Sequence, residues 1–142
     1  MKVRKVKSVW NGTLKEGKGV MNITGYSGPF TFASRFEEGK GTNPEELVGA
    51  AQSGCYSMFL SALISNEGLN PESIETEAHV TLGELDGGPA ITNIKLVSAV
   101  KCDGLSQEKF DQLSQEAKLK CPISRLYAGG TADIELEATL LK

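Results

Sequence analysis

The chain's 142 residues, 39% apolar and 23% charged with a net charge of −3, amount to one globular domain over 1–142 and exclude a disordered or collagen-like chain. A mildly acidic chain with scattered signs offers no basic stripe for nucleic acid, and the run Lys2-Val3-Arg4-Lys5-Val6-Lys7 reads as the solvated start of a strand. No stretch approaches the ~20 apolar residues of a membrane span, and the N-terminus lacks the apolar segment of a secretory signal, so a cytoplasmic protein without a membrane role is expected.

The first forty residues break into short apolar pieces, with strands expected at Val3–Trp10, Lys18–Thr24 and Phe30–Phe36 and turns at Asn11-Gly12 and Gly25–Pro29. Asn43 caps a helix, Pro44 suits its first position and Glu46 completes a capping-box-like pattern. That helix runs to Ser65 or Asn66 and ends at Gly68. Leu47, Ala51, Cys55, Met58, Phe59 and Ala62 share one of its faces. The run Gly49, Ala50, Ala51, Ser53, Gly54 would let a partner helix come close. Ile74 to Leu82 alternate with Glu75, Glu77, His79 and Thr81 as a half-buried strand. After the turn Asp86-Gly87-Gly88-Pro89, Ile91–Cys102 is another strand. Ser106 caps a helix from Gln107 to Lys120, with Phe110, Leu113 and Ala117 inward. Pro122–Tyr127 is a short helix and Ala132–Leu140 a last strand. Strands, helix, strands, helices and strand make an α+β chain with a largely antiparallel sheet.

Three cysteines, Cys55, Cys102 and Cys121, are too few and too scattered for a secreted disulfide framework or a zinc site. With His79 as the only histidine, any thiol chemistry must make its thiolate by other means. By position alone Cys55 reads more readily as a core thiol than as a catalytic one. Cys121 stands at the junction of two helices, where unpaired N–H groups favour a thiolate, though a cysteine sits there by chance about as readily. Cys102 reads as core. His79, Glu75 and Glu77 read as a solvated face, and Gly39-Lys40-Gly41 lacks the spacing of a phosphate loop.

The stretch Arg35-Phe36-Glu37-Glu38-Gly39-Lys40-Gly41-Thr42-Asn43-Pro44-Glu45-Glu46-Leu47, then Gly54-Cys55-Tyr56-Ser57-Met58, then Lys120-Cys121-Pro122-Ile123-Ser124, resembles the OsmC/Ohr family of osmotically inducible and organic hydroperoxide resistance proteins. The position of Arg35 is more similar to the OsmC branch. The resemblance covers essentially the whole chain. It implies an α+β, OsmC-like fold with largely antiparallel sheets around a long central helix, in an intertwined homodimer. It also implies a thiol peroxidase needing no metal or other cofactor. Cys55 would be peroxidatic and become a sulfenic acid, Cys121 would resolve it as a disulfide, and an external dithiol would reduce that bond. Arg35 would hold the thiolate and Glu45 would orient Arg35. Organic hydroperoxides are the expected substrates, with hydrogen peroxide beside them. Tyr56, Phe59 and Tyr127 are candidates for an apolar substrate wall, and Cys102 has no place in the motif.

Helix geometry adds a constraint. Ten residues rise about 15 Å and turn about 1000°, so Glu45 cannot reach Cys55 on its own helix but could reach that of an antiparallel partner. Two other readings stay open: a non-enzymatic protein holding a small apolar ligand, and a thiol switch in which the same disulfide reshapes a partner surface.

Overall fold

The computed structural model describes residues 1–142. They form two compact units, Met1–Leu47 and Val48–Lys142.

In the first unit, β1 (Lys7–Asn11), β2 (Lys18–Ile23) and β3 (Tyr26–Phe30) form an antiparallel sheet in the order β1-β2-β3. Gly25, with φ +77°, makes the tight turn between β2 and β3. The segment expected as a strand from Phe30 to Phe36 is instead the end of β3 followed by a short helix, α1 (Phe32–Phe36). The cause is local. Thr31 accepts from the Ser34 N–H, and Ser34 Oγ accepts from the Thr31 N–H, a reciprocal cap that starts a helix at Phe32. Gly39-Lys40-Gly41 has a packing reason for its glycines: a Cβ on Gly39 would lie 2.6 Å from Ala33 Cβ, and one on Gly41 2.6 Å from the Pro29 carbonyl.

α2 (Pro44–Asn66) has the expected bounds. The Glu46 N–H donates to Asn43 Oδ1 at 2.8 Å, and Asn43 Nδ2 donates to the Glu46 carboxylate at 3.0 Å. The capping box is therefore closed side chain to side chain. At 23 residues and a mean hydropathy of 1.4 over its best window, α2 does meet the length and composition of a membrane span. This corrects the expectation that no stretch comes near one: alanine, glycine and serine lower the apparent apolarity of the run without adding charge.

In the second unit, β4 (Ser73–Leu85) and β5 (Gly88–Lys101) pair antiparallel, and β6 (Asp133–Leu140) adds parallel to β5. α3 (Gln107–Lys120) and α4 (Pro122–Tyr127) fill the connection between β5 and β6, the long crossover that a parallel neighbour requires. The inward faces of the strands meet Tyr56, Leu60 and Ile64 of α2 and Phe110, Leu113 and Ala117 of α3 in one core.

The buried stripe of α2 in this unit is Gln52, Tyr56, Leu60 and Ile64. The face grouped from the sequence is the other one: Ala51, Met58 and Ala62 are exposed, and Cys55 and Phe59 are half-buried. The sheet takes the 52-56-60-64 row because Gly49, one turn earlier, lets α2 settle against Val80 and Ala78. A Cβ at Gly49 would stand 3.1 Å from Val80 Cγ2.

Candidate active site

Two groups of chemistry-bearing side chains stand out, one in each unit. In the first, Arg35 Nε donates to both carboxylate oxygens of Glu45 at 3.1 and 3.2 Å, and Arg35 Nη2 donates to Oε1 at 2.7 Å. This forked pairing fixes the guanidinium plane as a single-point lysine contact would not. Glu45 is buried and Arg35 keeps a third of its side chain open, so the cation faces outward from a held carboxylate. The arginine sits where it does because Ser34 is pinned. Its hydroxyl donates to the Thr42 carbonyl at 2.7 Å, and Asn43 Nδ2 donates to the Ser34 carbonyl at 3.1 Å. These bonds tie α1 to the start of α2. Beside Arg35 lies a mainly apolar hollow of about 200 Å³, walled by Trp10, Phe30, Phe32, Phe36 and Pro44. Its aromatic residues were not singled out from the sequence. Their irregular spacing hid them, and only the bend at Thr31 gathers them.

The second group gathers at the start of α4. Cys121 is its N-cap, as the sequence suggests, with Pro122 following. The Ser124 N–H donates to Cys121 Sγ at 3.4 Å and the Cys121 thiol donates to Ser124 Oγ at 3.0 Å. Cys55 reaches the same helix start from α2. Its sulfur lies close to the Ile123 N–H and beside the Cys121 thiol. All three cysteines are free thiols. Burial is the main cause that raises the Cys55 pKa; the Ile123 N–H pulls it down, and the Cys121 thiol pushes it up again. The protonated form is therefore favoured at Cys55.

The core reading of Cys55 does not describe this half-buried sulfur, whereas Cys121 is wholly buried. Cys102 is buried in the core as read, its pKa raised by burial and then by Asp103. His79 is exposed and pairs with Glu77 at 2.6 Å.

The three residues expected as a substrate wall lie in different surroundings. Tyr56 is sealed in the core, so it offers no face to an incoming molecule. Its pKa is pushed up to about 12, mainly by burial, with Ser98 opposing and Cys121 adding. The hydroxyl sits near Ser98 without a well-formed hydrogen bond. Phe59 is half-buried against the core. Tyr127 is half-buried beside a separate hollow of about 240 Å³ with Val48, Ile91, Ile94 and Ala132. Ser124 and Gln52, which the sequence reading passed over, complete the cysteine group. Gln52 is fully buried and its Nε2 donates to Ser124 Oγ at 3.1 Å.

A family model described as OsmC-like protein matches residues 37–137. The chain is 43% identical to Peroxiredoxin OsmC of Escherichia coli (strain K12) over 141 aligned residues, covering 95% of this chain and 97% of that protein. It is 31% identical to the organic hydroperoxide resistance protein OhrB of Bacillus subtilis (strain 168) over 98 residues, 68% of this chain and 69% of that one. The crystal structure of an OsmC-like protein from Mycoplasma pneumoniae superposes with a TM-score of 0.79 over 99% of both chains at 14% identity, a likeness of fold.

Proposed function

The chain belongs to the OsmC-like family and is a thiol-dependent peroxidase, and we propose that it reduces organic hydroperoxides, and hydrogen peroxide beside them, through a Cys55 sulfenic acid and a Cys55–Cys121 disulfide. The observation that carries this reading is the meeting of a half-open thiol and a buried thiol at the first turn of α4. The Cys55 thiolate attacks one peroxide oxygen, the O–O bond breaks, and the alkoxide leaves and takes a proton. The sulfenic acid then condenses with the Cys121 thiol, releasing water and forming the disulfide. An external dithiol restores both thiols by exchange. No metal or organic cofactor enters these steps.

The reading requires a cation at Cys55, and Arg35, aimed by Glu45, is the residue suited to supply it. Because α2 is unbroken from Pro44 to Asn66, Glu45 stands about 15 Å along the helix from Cys55. A second copy would resolve this: two α2 helices packed antiparallel would carry each Arg35–Glu45 pair to the partner's cysteines. The exposed small and apolar stripe of Ala51, Gly54, Met58 and Ala62 suits such packing. We read the active form as a homodimer in the cytoplasm, with the apolar face of α2 turned to its copy and not to a membrane. The hollow beside Arg35 would take the organic part of the hydroperoxide, in place of the wall expected at Tyr56.

The test is a stoichiometric titration with an organic hydroperoxide followed by mass spectrometry. One equivalent per protomer should convert Cys55 and Cys121 into an intramolecular disulfide and leave Cys102 as a thiol. Cys55→Ser should consume no peroxide. Cys121→Ser should stop after one turnover, with Cys55 oxidised beyond the sulfenic acid by excess peroxide. Turnover by Cys55→Ser at the wild-type rate would sink the reading.

A further inference from the structure

Behind the two cysteines is a buried polar chain that the oxidative steps do not use. Gln52, fully buried on α2, donates through Nε2 to Ser124 Oγ at 3.1 Å, while its Oε1 has no hydrogen-bond partner. Ser124, also buried, receives the Cys121 thiol hydrogen on the same oxygen at 3.0 Å and directs its own N–H at Cys121 Sγ at 3.4 Å. A hydroxyl that accepts from an amide still has one hydrogen to place. When Cys121 carries a hydrogen, Ser124 accepts it. When Cys121 is an anion, the Ser124 hydroxyl can turn its hydrogen onto the sulfur and join the Ser124 N–H there. Gln52 is a donor in both states, so it holds Ser124 Oγ in place while that hydrogen changes direction. Burying an amide with its oxygen unpaired is costly, and the pair it forms with Ser124 lies against a sulfur that solvent cannot reach.

Resting on the disulfide cycle proposed above, we propose that Ser124, held by Gln52, is a positioning residue for the reductive half of the reaction: it receives Cys121 as the leaving thiolate, so that the reductant attacks Cys55. Access points the same way, since Cys55 is half-open and Cys121 is wholly buried. Exchange runs by attack on one sulfur and departure of the other. A thiolate of the external dithiol attacks Cys55 Sγ, the Cys55–Cys121 bond breaks, and a bond between Cys55 and the reductant forms. Cys121 departs with the electron pair onto the Ser124 N–H and O–H, then takes a proton. The second thiol of the reductant, as its thiolate, displaces Cys55 and closes the reductant's own disulfide. Two electrons pass from the dithiol to the protein, and both protein thiols are recovered.

The test isolates that half-reaction. Protein oxidised with one equivalent of hydroperoxide is mixed with the monothiol 2-mercaptoethanol, quenched in acid on the millisecond scale and mapped by mass spectrometry. The mixed disulfide is expected on the Cys55 peptide, and its appearance on the Cys121 peptide overturns the proposal. Ser124→Ala should slow this step roughly ten- to hundredfold, as fits the loss of one hydrogen bond to a charged atom. It should leave the rate of Cys55 oxidation within about twofold, and Ser124→Thr should restore the reduction rate. A variant that slows both halves alike, or a threonine that fails to rescue, shows a structural role only and overturns the proposal. If hydroperoxide forms no Cys55–Cys121 disulfide at all, the peroxidase cycle fails first and this step with it.

Discussion

The Cys55 sulfur shows how little a residue's place in a pattern says about its chemistry. On a helical wheel it shares a face with Met58 and Ala62, yet it ends half-open against the Ile123 N–H, with its thiol form favoured by burial. In the proposed dimer that bias is reversed by Arg35. Arg35→Ala should therefore move the inflection of iodoacetamide alkylation at Cys55 upward, above the ordinary thiol range, and slow alkylation at pH 7 by about tenfold for each unit moved. An unmoved inflection would take Arg35 away from Cys55. Tyr56 offers a second titration. Its pKa is raised to about 12 in the folded chain, so the stability it lends by staying neutral is fully present below about pH 10 and is lost as pH rises through 12. Tyr56→Phe should change neutral-pH stability by no more than about 1 kcal/mol, because the hydroxyl makes no well-formed bond. It should also flatten this part of the alkaline loss, read by urea unfolding across pH 9 to about 12.

At the level of elements, the sequence announces α2, α3 and α4 with near-correct limits because each carries its own end signals: Asn43-Pro44 and Gly68, Ser106, and Cys121-Pro122. Arg35, Glu45, Cys55 and Cys121 were legible as a motif, and their pairing into two local groups is what folding adds. The alternation of β4 and β5 was legible, since one face of each strand is wetter than the other, but the register shift at Thr81/Leu82 was not. Two larger features were not legible either. The stretch Phe30–Phe36 has bulky residues at strand-like intervals, and its helix depends on Thr31 and Ser34 bonding each other, a serine standing where the usual capping pattern has an acid or amide. The buried stripe of α2 was hidden for another reason. Both faces of that helix are apolar or small, and the face chosen carries Gln52, which only makes sense once Ser124 is known to lie opposite. The consequence for α1 is measurable. Ser34→Ala removes the bonds to Thr31 and Thr42 and should cost about 1–2 kcal/mol in chemical denaturation. It should also lower peroxidase turnover and raise the Cys55 alkylation inflection as Arg35→Ala does, since α1 carries Arg35. Normal turnover in a destabilised Ser34→Ala would show that α1 need not be held for catalysis.

For the whole molecule, the question is what covers α2. Only 28% of its most apolar window is buried in the chain alone, which is little for a helix of this hydropathy. Its two mid-helix glycines answer to different neighbours. Gly49 is packed against Val80 and Ala78, so a side chain there would push on the sheet. Gly54 faces open space, with nothing within 4 Å of a Cβ placed on it. In an isolated protomer, replacing Gly54 should be harmless or favourable, because glycine in a helix interior costs up to about 1 kcal/mol relative to better helix formers. In an antiparallel pair of α2 helices the same glycine permits close backbone approach, and a bulky side chain would hold the helices apart. Gly54→Leu thus separates the two cases. The expected outcome is an intact fold by circular dichroism, a shift from dimer towards monomer by sedimentation at micromolar concentration, and peroxidase activity that falls in step with dimer content. Gly49→Ala should instead lower stability while the remaining folded protein stays dimeric. A Gly54→Leu protein that is dimeric with unchanged affinity, or monomeric and fully active, would remove α2 from the interface and leave Arg35 without a route to Cys55.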